Sequence, residues 1–267
     1  MIRTIAFSSL KGGVGKTTTA LNCAFAFARR GARTLLIDTD PQGAIGMSLD
    51  GVADRAGWAA GLSNGGVSLD GVLKTRLAEL HLLPIGPVDP FDVDRLQQDA
   101  RQSDVLRGLI ERSQRDYDMV LLDTPAGLGG MSRLALEAVD NVIAVAQCEP
   151  LALRALPRLL ELLARLRDSG SACALLGVVG NMSSFRDPVM LASLEELWSL
   201  YRDQVFETAI PLDRTFLQAS RVGVPVGLLS RRPPAVAAVF DRLVAEIEER
   251  LGVEEGADND GPIRLVD

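Results

Sequence analysis

Residues 8–18, Ser-Ser-Leu-Lys-Gly-Gly-Val-Gly-Lys-Thr-Thr, constrain this chain more than any other stretch. They follow the short apolar run Ile2 to Ser8 and precede Leu21, Ala24, Phe25 and Ala28, whose spacing makes one face of a helix. A strand therefore runs into a glycine-rich turn, and the turn opens a helix. Backbone N–H groups converge on an anion only where the chain turns tightly, which glycine permits. The helix N-terminus points its dipole at the same place. The run fits G-x-x-x-x-G-K-[ST], with the first glycine replaced by Leu10 or shifted to Gly12. That spacing assigns phosphate binding to Gly12, Gly13, Val14, Gly15, Lys16, Thr17 and Thr18. Lys16 would reach the β- and γ-phosphates of ATP, and the Thr17 hydroxyl would hold Mg²⁺.

Further apolar runs recur along the chain: Arg33 to Ile37, Leu80 to Pro84, Met119 to Leu122, Asn141 to Ala146 and Ala174 to Val179. Their continuous apolar character predicts strands buried on both faces. Helical periodicity lies between them, most clearly in Leu156, Leu159, Leu160, Leu163 and Leu166, a stripe ending near Gly170. Alternating strands and helices predict an α/β fold of the P-loop type: a single three-layer domain, with a mostly parallel twisted sheet and helices on both faces. No repeat or linker interrupts residues 1–251, which read as one ATPase domain. Residues 252–267 are acidic and polar and read as a disordered tail. Residues 48–77 carry six glycines and read as a mobile surface insertion.

Composition narrows the function. With 47% apolar and 24% charged residues, the chain belongs to the globular class. A net charge of −7 argues against a globally basic nucleic-acid binder but leaves a local patch open. Only three of the 28 basic residues are lysines, and two of those, Lys11 and Lys16, sit in the glycine-rich loop. A compact ammonium fits a narrow phosphate cradle where a planar guanidinium does not. Cys23, Cys148 and Cys173 are too far apart for a metal cluster or a disulfide framework. The N-terminal apolar run is too short for a signal peptide and no stretch is long enough to span a bilayer, so the expected location is the cytoplasm. His81, the one histidine, lies in an apolar run and reads as structural.

The loop as a whole resembles the deviant Walker A motif of the ParA and MinD family of partition and division ATPases, and the likeness covers nearly the full chain. By that resemblance, Lys11 is the signature lysine that crosses to the sister subunit's phosphates in an ATP-bound homodimer. A cation supplied where charge accumulates helps phosphoryl transfer. Asp38-Thr39-Asp40-Pro41-Gln42-Gly43 is similar to the family's switch I: Asp40 would orient the attacking water, with Asp38 assisting it or the metal shell. Val120 to Gly127 has the Walker B form, so Asp123 would hold the Mg²⁺ shell and the Gly127 backbone would sense the γ-phosphate. Asn181 resembles a base-contacting asparagine, with a turn or cap role as the alternative. Ile210-Pro211-Leu212-Asp213 looks like the loop beside the base, assigning Pro211 and Asp213 to the cofactor.

The family implies a slow ATPase, stimulated by an adaptor protein, whose nucleotide state controls affinity for a surface. The partition branch binds nonspecific DNA. This chain resembles it at Asp40-Pro41-Gln42-Gly43 and Gln147-Cys148-Glu149, and departs from its Ile-Pro-Arg-Asn-x-Arg pattern at Ile210 to Thr215. Residues 150–232 nevertheless hold ten arginines against eight acids. The division branch binds membrane through a Lys-rich C-terminal helix. Here the last helix sets Val236, Val239, Phe240, Leu243, Val244, Ile247 and Leu251 opposite Asp241, Glu246, Glu248 and Glu249. Such an acidic face is repelled by anionic lipid, so the helix is expected to pack on the sheet. The favoured expectation is an ATP-dependent switch that positions or segregates a cargo on the nucleoid through nonspecific DNA binding. The alternative is a division-branch ATPase, associated with membrane or a partner protein, that places a division site or flagellum. Nitrogenase-like reductases and tail-anchor targeting ATPases share the loop, but this chain lacks the cluster cysteines of the first and the Met-rich groove of the second.

Overall fold

The structure, a computed structural model, describes residues 2–62 and 67–252. The six predicted strands form, and a seventh joins them: β1 (Arg3–Ser8), β2 (Thr34–Asp38), β3 (Leu73–Lys74), β4 (Leu80–Leu83), β5 (Met119–Asp123), β6 (Asn141–Gln147) and β7 (Ala174–Asn181). They lie in the order β3-β4-β2-β5-β1-β6-β7. Every pairing is parallel except that of β3 with β4. At two residues β3 is too short to leave a periodic signal, and it falls inside the segment read as an insertion.

The helices are α1 (Lys16–Arg29), α2 (Ala44–Ser48), α3 (Trp58–Leu62), α4 (Val93–Gln102), α5 (Val105–Ser113), α6 (Gly130–Ala138), α7 (Pro150–Asp168), α8 (Pro188–Tyr201), α9 (Arg214–Val222) and α10 (Ala238–Arg250). Side chains alternate along each strand, so neighbours enter different cores. On β1, Ile5 and Phe7 join the core under α1 and α10, while Ala6 joins the core under α4 to α7. All five residues of β2 and of β5 are buried, as expected of parallel strands covered on both sides.

Helix α7 carries the leucine stripe and stops two residues before Gly170, where φ is +95°. It begins earlier than the stripe suggests, with Pro150 in its first turn and an exposed Pro157 in its interior. All seven of the apolar residues singled out above are buried, five of them on α10 and Val236 and Leu251 at its two ends. Two of its acids are bonded within the chain. Glu246 accepts hydrogen bonds from the Glu207 and Thr208 N–H groups, and Glu248 pairs with Arg30. Its apolar face packs on α1 and the sheet, where no membrane can reach it. Among the described residues no helix is long and apolar enough to cross a membrane.

The glycine-rich segment is only partly what the sequence suggested. Residues 63–66 lie outside the described residues, as does the tail from 253 onward. The stretch around Trp58, however, is docked rather than loose. Trp58 N–H donates to the Pro84 carbonyl and Ala59 N–H to that of Ile85. The Trp58 indole is 3% exposed and donates to the backbone oxygen of Asp38 at 2.7 Å. Gly57 makes this approach possible, since a Cβ there would lie 2.1 Å from the Pro84 oxygen. Both contacts are backbone, so relief requires undocking the segment. Gly57→Ala should therefore cost about 1–3 kcal/mol, read as a lower urea midpoint with the Trp58 emission shifted to the red.

Candidate functional site

The loop between β1 and α1 lies at the C-terminal mouth of the sheet, where the ends of β1, β2 and β5 meet. Gly15 forms the N-cap of α1 at φ +86°, a left-handed conformation suited to glycine, and no side chain caps the helix. The first-turn N–H groups are thereby left facing the loop's interior, which is an anion cradle. Val14 is buried beneath the loop. Gly12, Gly13 and Thr18 are exposed on its rim, and Thr17 is half-buried. Lys16 is 8% exposed. Burial lowers its pKa, and the charges of Asp123 and Asp40 partly offset that.

Asp38 and Asp123 end β2 and β5 and face one another in register. Both are fully buried. Burial pushes Asp38 up to about 8, helped by Asp123 and opposed by hydrogen bonds from the backbone of Asp40 and Ile45. Each of its oxygens accepts one of those bonds, at 3.0 and 2.9 Å. Asp38 therefore braces the turn that carries Asp40. Asp40 itself is half-buried, and its Oδ1 accepts from Gln42 N–H.

Asp123 is treated differently. Burial pushes it up to about 7; the nearby Thr17 hydroxyl and the Lys16 ammonium oppose the shift, and Asp40 adds to it. Thr17 makes no hydrogen bond of ordinary geometry with it. Among the described residues, the buried side-chain polar atoms without a hydrogen-bond partner are Ser8 Oγ and both carboxylate oxygens of Asp123. Asp123 sits opposite Phe7 on the neighbouring strand, one residue before Ser8. A buried orphan carboxylate is costly unless something completes it. A hydrated Mg²⁺ and a phosphate do so by chemistry: magnesium takes one or two carboxylates and fills its remaining positions with water and phosphate oxygens.

On the other side of the loop is a cavity of about 500 Å³ lined by Gly15, Thr18, Asn181, Pro211, Asp213 and Phe216, among others. The sequence-predicted Asn181, Pro211 and Asp213 thus come together. Asn181 lies against the loop: its Nδ2 donates to the Val14 carbonyl, and a Cβ on Gly15 would lie 2.3 Å from that nitrogen. Asp213 caps α9, its Oδ1 accepting from the Thr215 N–H and hydroxyl, and these bonds hold its carboxyl below the usual range. A second cavity, about 680 Å³, opens beside Asp40 and is lined by Pro41, Gln42, Pro125, Ala126 and Met131. Nothing in the sequence announced it, because its walls come from five separate segments. Ser8, Trp58 and Asn22 were also missed. Asn22 ties α1 to the Val226 N–H, and an amide inside an apolar helical face was its only signal.

A strand, a glycine loop and an uncapped helix, with a buried lysine and a bare carboxylate at the end of β5, define a P-loop nucleoside triphosphatase. A family model described as an AAA domain matches residues 2–173. The chain is 33% identical over 255 residues to the chromosome partitioning protein ParA of Caulobacter vibrioides, covering 93% of this chain and 95% of that one. Cyanothece McdA in complex with ATP superposes with a TM-score of 0.78 at 20% identity, over 100% of this chain and 99% of that chain. The cell division ATPase MinD of Pyrococcus furiosus does so at 0.74 and 25%, over 93% and 99%. The chain belongs to the ParA/MinD family of P-loop ATPases.

The buried carboxylates carry a pH signature. Their folded pKa values exceed the unfolded value of 3.8, so the folded state binds more protons between about pH 4 and 8. Their stabilising contribution is complete below that window and is lost as pH rises through the folded values. The metal-free protein should lose several kcal/mol from this pair between about pH 5 and 9. Mg²⁺ with nucleotide requires the ionised forms and should restore more stability at pH 8.5 than at pH 6. Asp123→Asn should flatten the metal-free pH dependence of the melting temperature and remove the magnesium-dependent gain.

Proposed function

We infer that the chain binds Mg·ATP, dimerises face to face across the nucleotides, and hydrolyses ATP slowly until an adaptor protein stimulates it. The reading is carried by the two lysines on one loop. Lys16 is buried over Asp123, whereas Lys11 is partly exposed at the rim, where a second copy can meet it.

The chain's residues divide the work. First-turn N–H groups of α1 and the backbone of Gly12 to Gly15 hold the phosphates, and the Lys16 ammonium neutralises their outer oxygens. Thr17 and Asp123 would hold the magnesium, and Asp38 keeps the Asp40 turn in shape beside the metal shell. Magnesium held there would supply positive charge against the charge that builds up on the phosphates during transfer. Asp40 orients the attacking water, and Lys11 crosses to the sister subunit's phosphates. Asn181, Pro211 and Asp213 wall the cavity that takes the base.

The surface held by the dimer is read as DNA, with the protein in the cytoplasm on the nucleoid. All ten arginines between residues 150 and 232 are exposed. Arg165 pairs with Glu161, and among the described residues none of the other nine has an ion pair. Uncommitted guanidinium groups suit a phosphate backbone, and such binding weakens steeply with salt. The apolar face of α10 is buried against α1 and the sheet, so that helix does not offer it to a membrane.

Asp40→Ala, trapped with ATP, should retain random duplex DNA and lose about tenfold or more in affinity between roughly 50 and 200 mM salt. Anionic liposomes offered in parallel should not retain it; retention by liposomes alone would replace the nucleoid reading with a membrane one. Lys11→Ala should bind nucleotide nearly as well as the parent but show no ATP-dependent dimer by light scattering. A dimer in that variant removes the role of Lys11 across the interface.

A further inference from the structure

Lys11 is not idle at the rim. Its ammonium is ion-paired with the carboxylate of Glu149 in the same chain, their side chains 36% and 26% exposed. Its stem lies in a crevice with Val145, Ala146, Ala152 and Leu156. Glu149 is the N-cap residue of α7, directly after β6. A polar side chain at that position ordinarily accepts from the helix's own first-turn N–H groups. Glu149 makes no such bond. Its charge is given to Lys11.

Strand order fixes the direction of the pull. β6 lies on one side of β1, with β5 and β2 on the other. Asp123 and Asp38 end β5 and β2, so the corner that completes the phosphate site is on that side. Glu149 draws Lys11 the opposite way, along the flank of its own α7. An ammonium seated there is not extended toward another molecule.

We propose that Glu149 is an autoinhibitory latch that parks Lys11 in the single subunit and releases it only when the phosphates of a second copy compete for the ammonium. This rests on the reading of Lys11 as a residue acting across the dimer. Each dimer opens two latches, so the effect of one pair is squared in the dimer equilibrium. A partly exposed pair is worth a factor of about two to five, and two of them about 4- to 25-fold. The device sets a threshold: it holds the protein apart at low ATP occupancy without touching the nucleotide site.

The scarcity of lysine makes the latch measurable. Lys16 is buried and Lys74 exposed, so acetic anhydride labelling read by mass spectrometry can follow Lys11 with Lys74 as the internal standard. In full-length, nucleotide-free Glu149→Gln, the Lys11-to-Lys74 labelling ratio should rise about two- to fivefold. With Mg·ATP, the dimer dissociation constant from analytical ultracentrifugation should fall about 4- to 25-fold. Unchanged labelling would overturn the latch. Faster labelling with a weaker dimer would overturn autoinhibition, because Glu149 would then support the dimer. Glu149→Ala repeats both measurements with no residual amide to hold the ammonium. The labelling arm needs neither nucleotide nor dimer, so it fails separately from the reading of Lys11, which the Lys11→Ala dimer measurement decides.

Discussion

Two carboxylates sit opposite one another on adjacent parallel strands, both out of water, and the mouth of the sheet is organised around the cost of keeping them there. Asp38 meets that cost inside the chain, taking the N–H groups of Asp40 and Ile45. Asp123 does not. One acid shapes the protein and its neighbour waits for a ligand, although their positions in the two strands are equivalent. Because the Asp38 backbone also receives the Trp58 indole, the shape of the Asp40 turn depends on a segment that touches no part of the phosphate cradle.

What was legible in the sequence was local. The loop, its flanking strand and helix, and the acids that end apolar runs each occupy a few consecutive residues, and their periodicity or spacing carries the physics directly. The strands beyond β1, apart from the two-residue β3, were legible for the same reason, since a run buried on both faces has few polar interruptions. The bare state of Asp123 was not legible, because it depends on the absence of a donor from every surrounding element. Nor was the Lys11 and Glu149 pair, whose members are 138 residues apart.

The glycines of residues 48–77 show how composition misleads. Glycine is read as looseness because the unfolded chain gains most from it. At Gly57 the missing side chain serves closeness instead, letting backbone lie on backbone at the end of β4. The signal that separates the two cases is the adjacent Trp58, a large apolar group that a loose surface segment has little reason to carry. Asn181 gives a similar lesson. Its residue type was read as a ligand contact, while its amide is bonded to the loop that would hold the ligand's phosphates. One side chain therefore borders both the phosphate loop and the cavity beside it.

The last helix of the described residues covers the first. Phe25, Phe27 and Ala28 of α1 share a core with Phe240, Leu243 and Ile247 of α10. During synthesis the phosphate loop and α1 leave the ribosome early, but the outer side of α1 stays bare until more than two hundred further residues have been added. Contacts of such long sequence separation form late, and apolar surface left open meanwhile is prone to association. Nascent chains thus stay adhesive until α10 has been made. Proteolytic loss of α10 would return a finished molecule to that state, so the integrity of this one helix keeps the outer face of α1 from self-association.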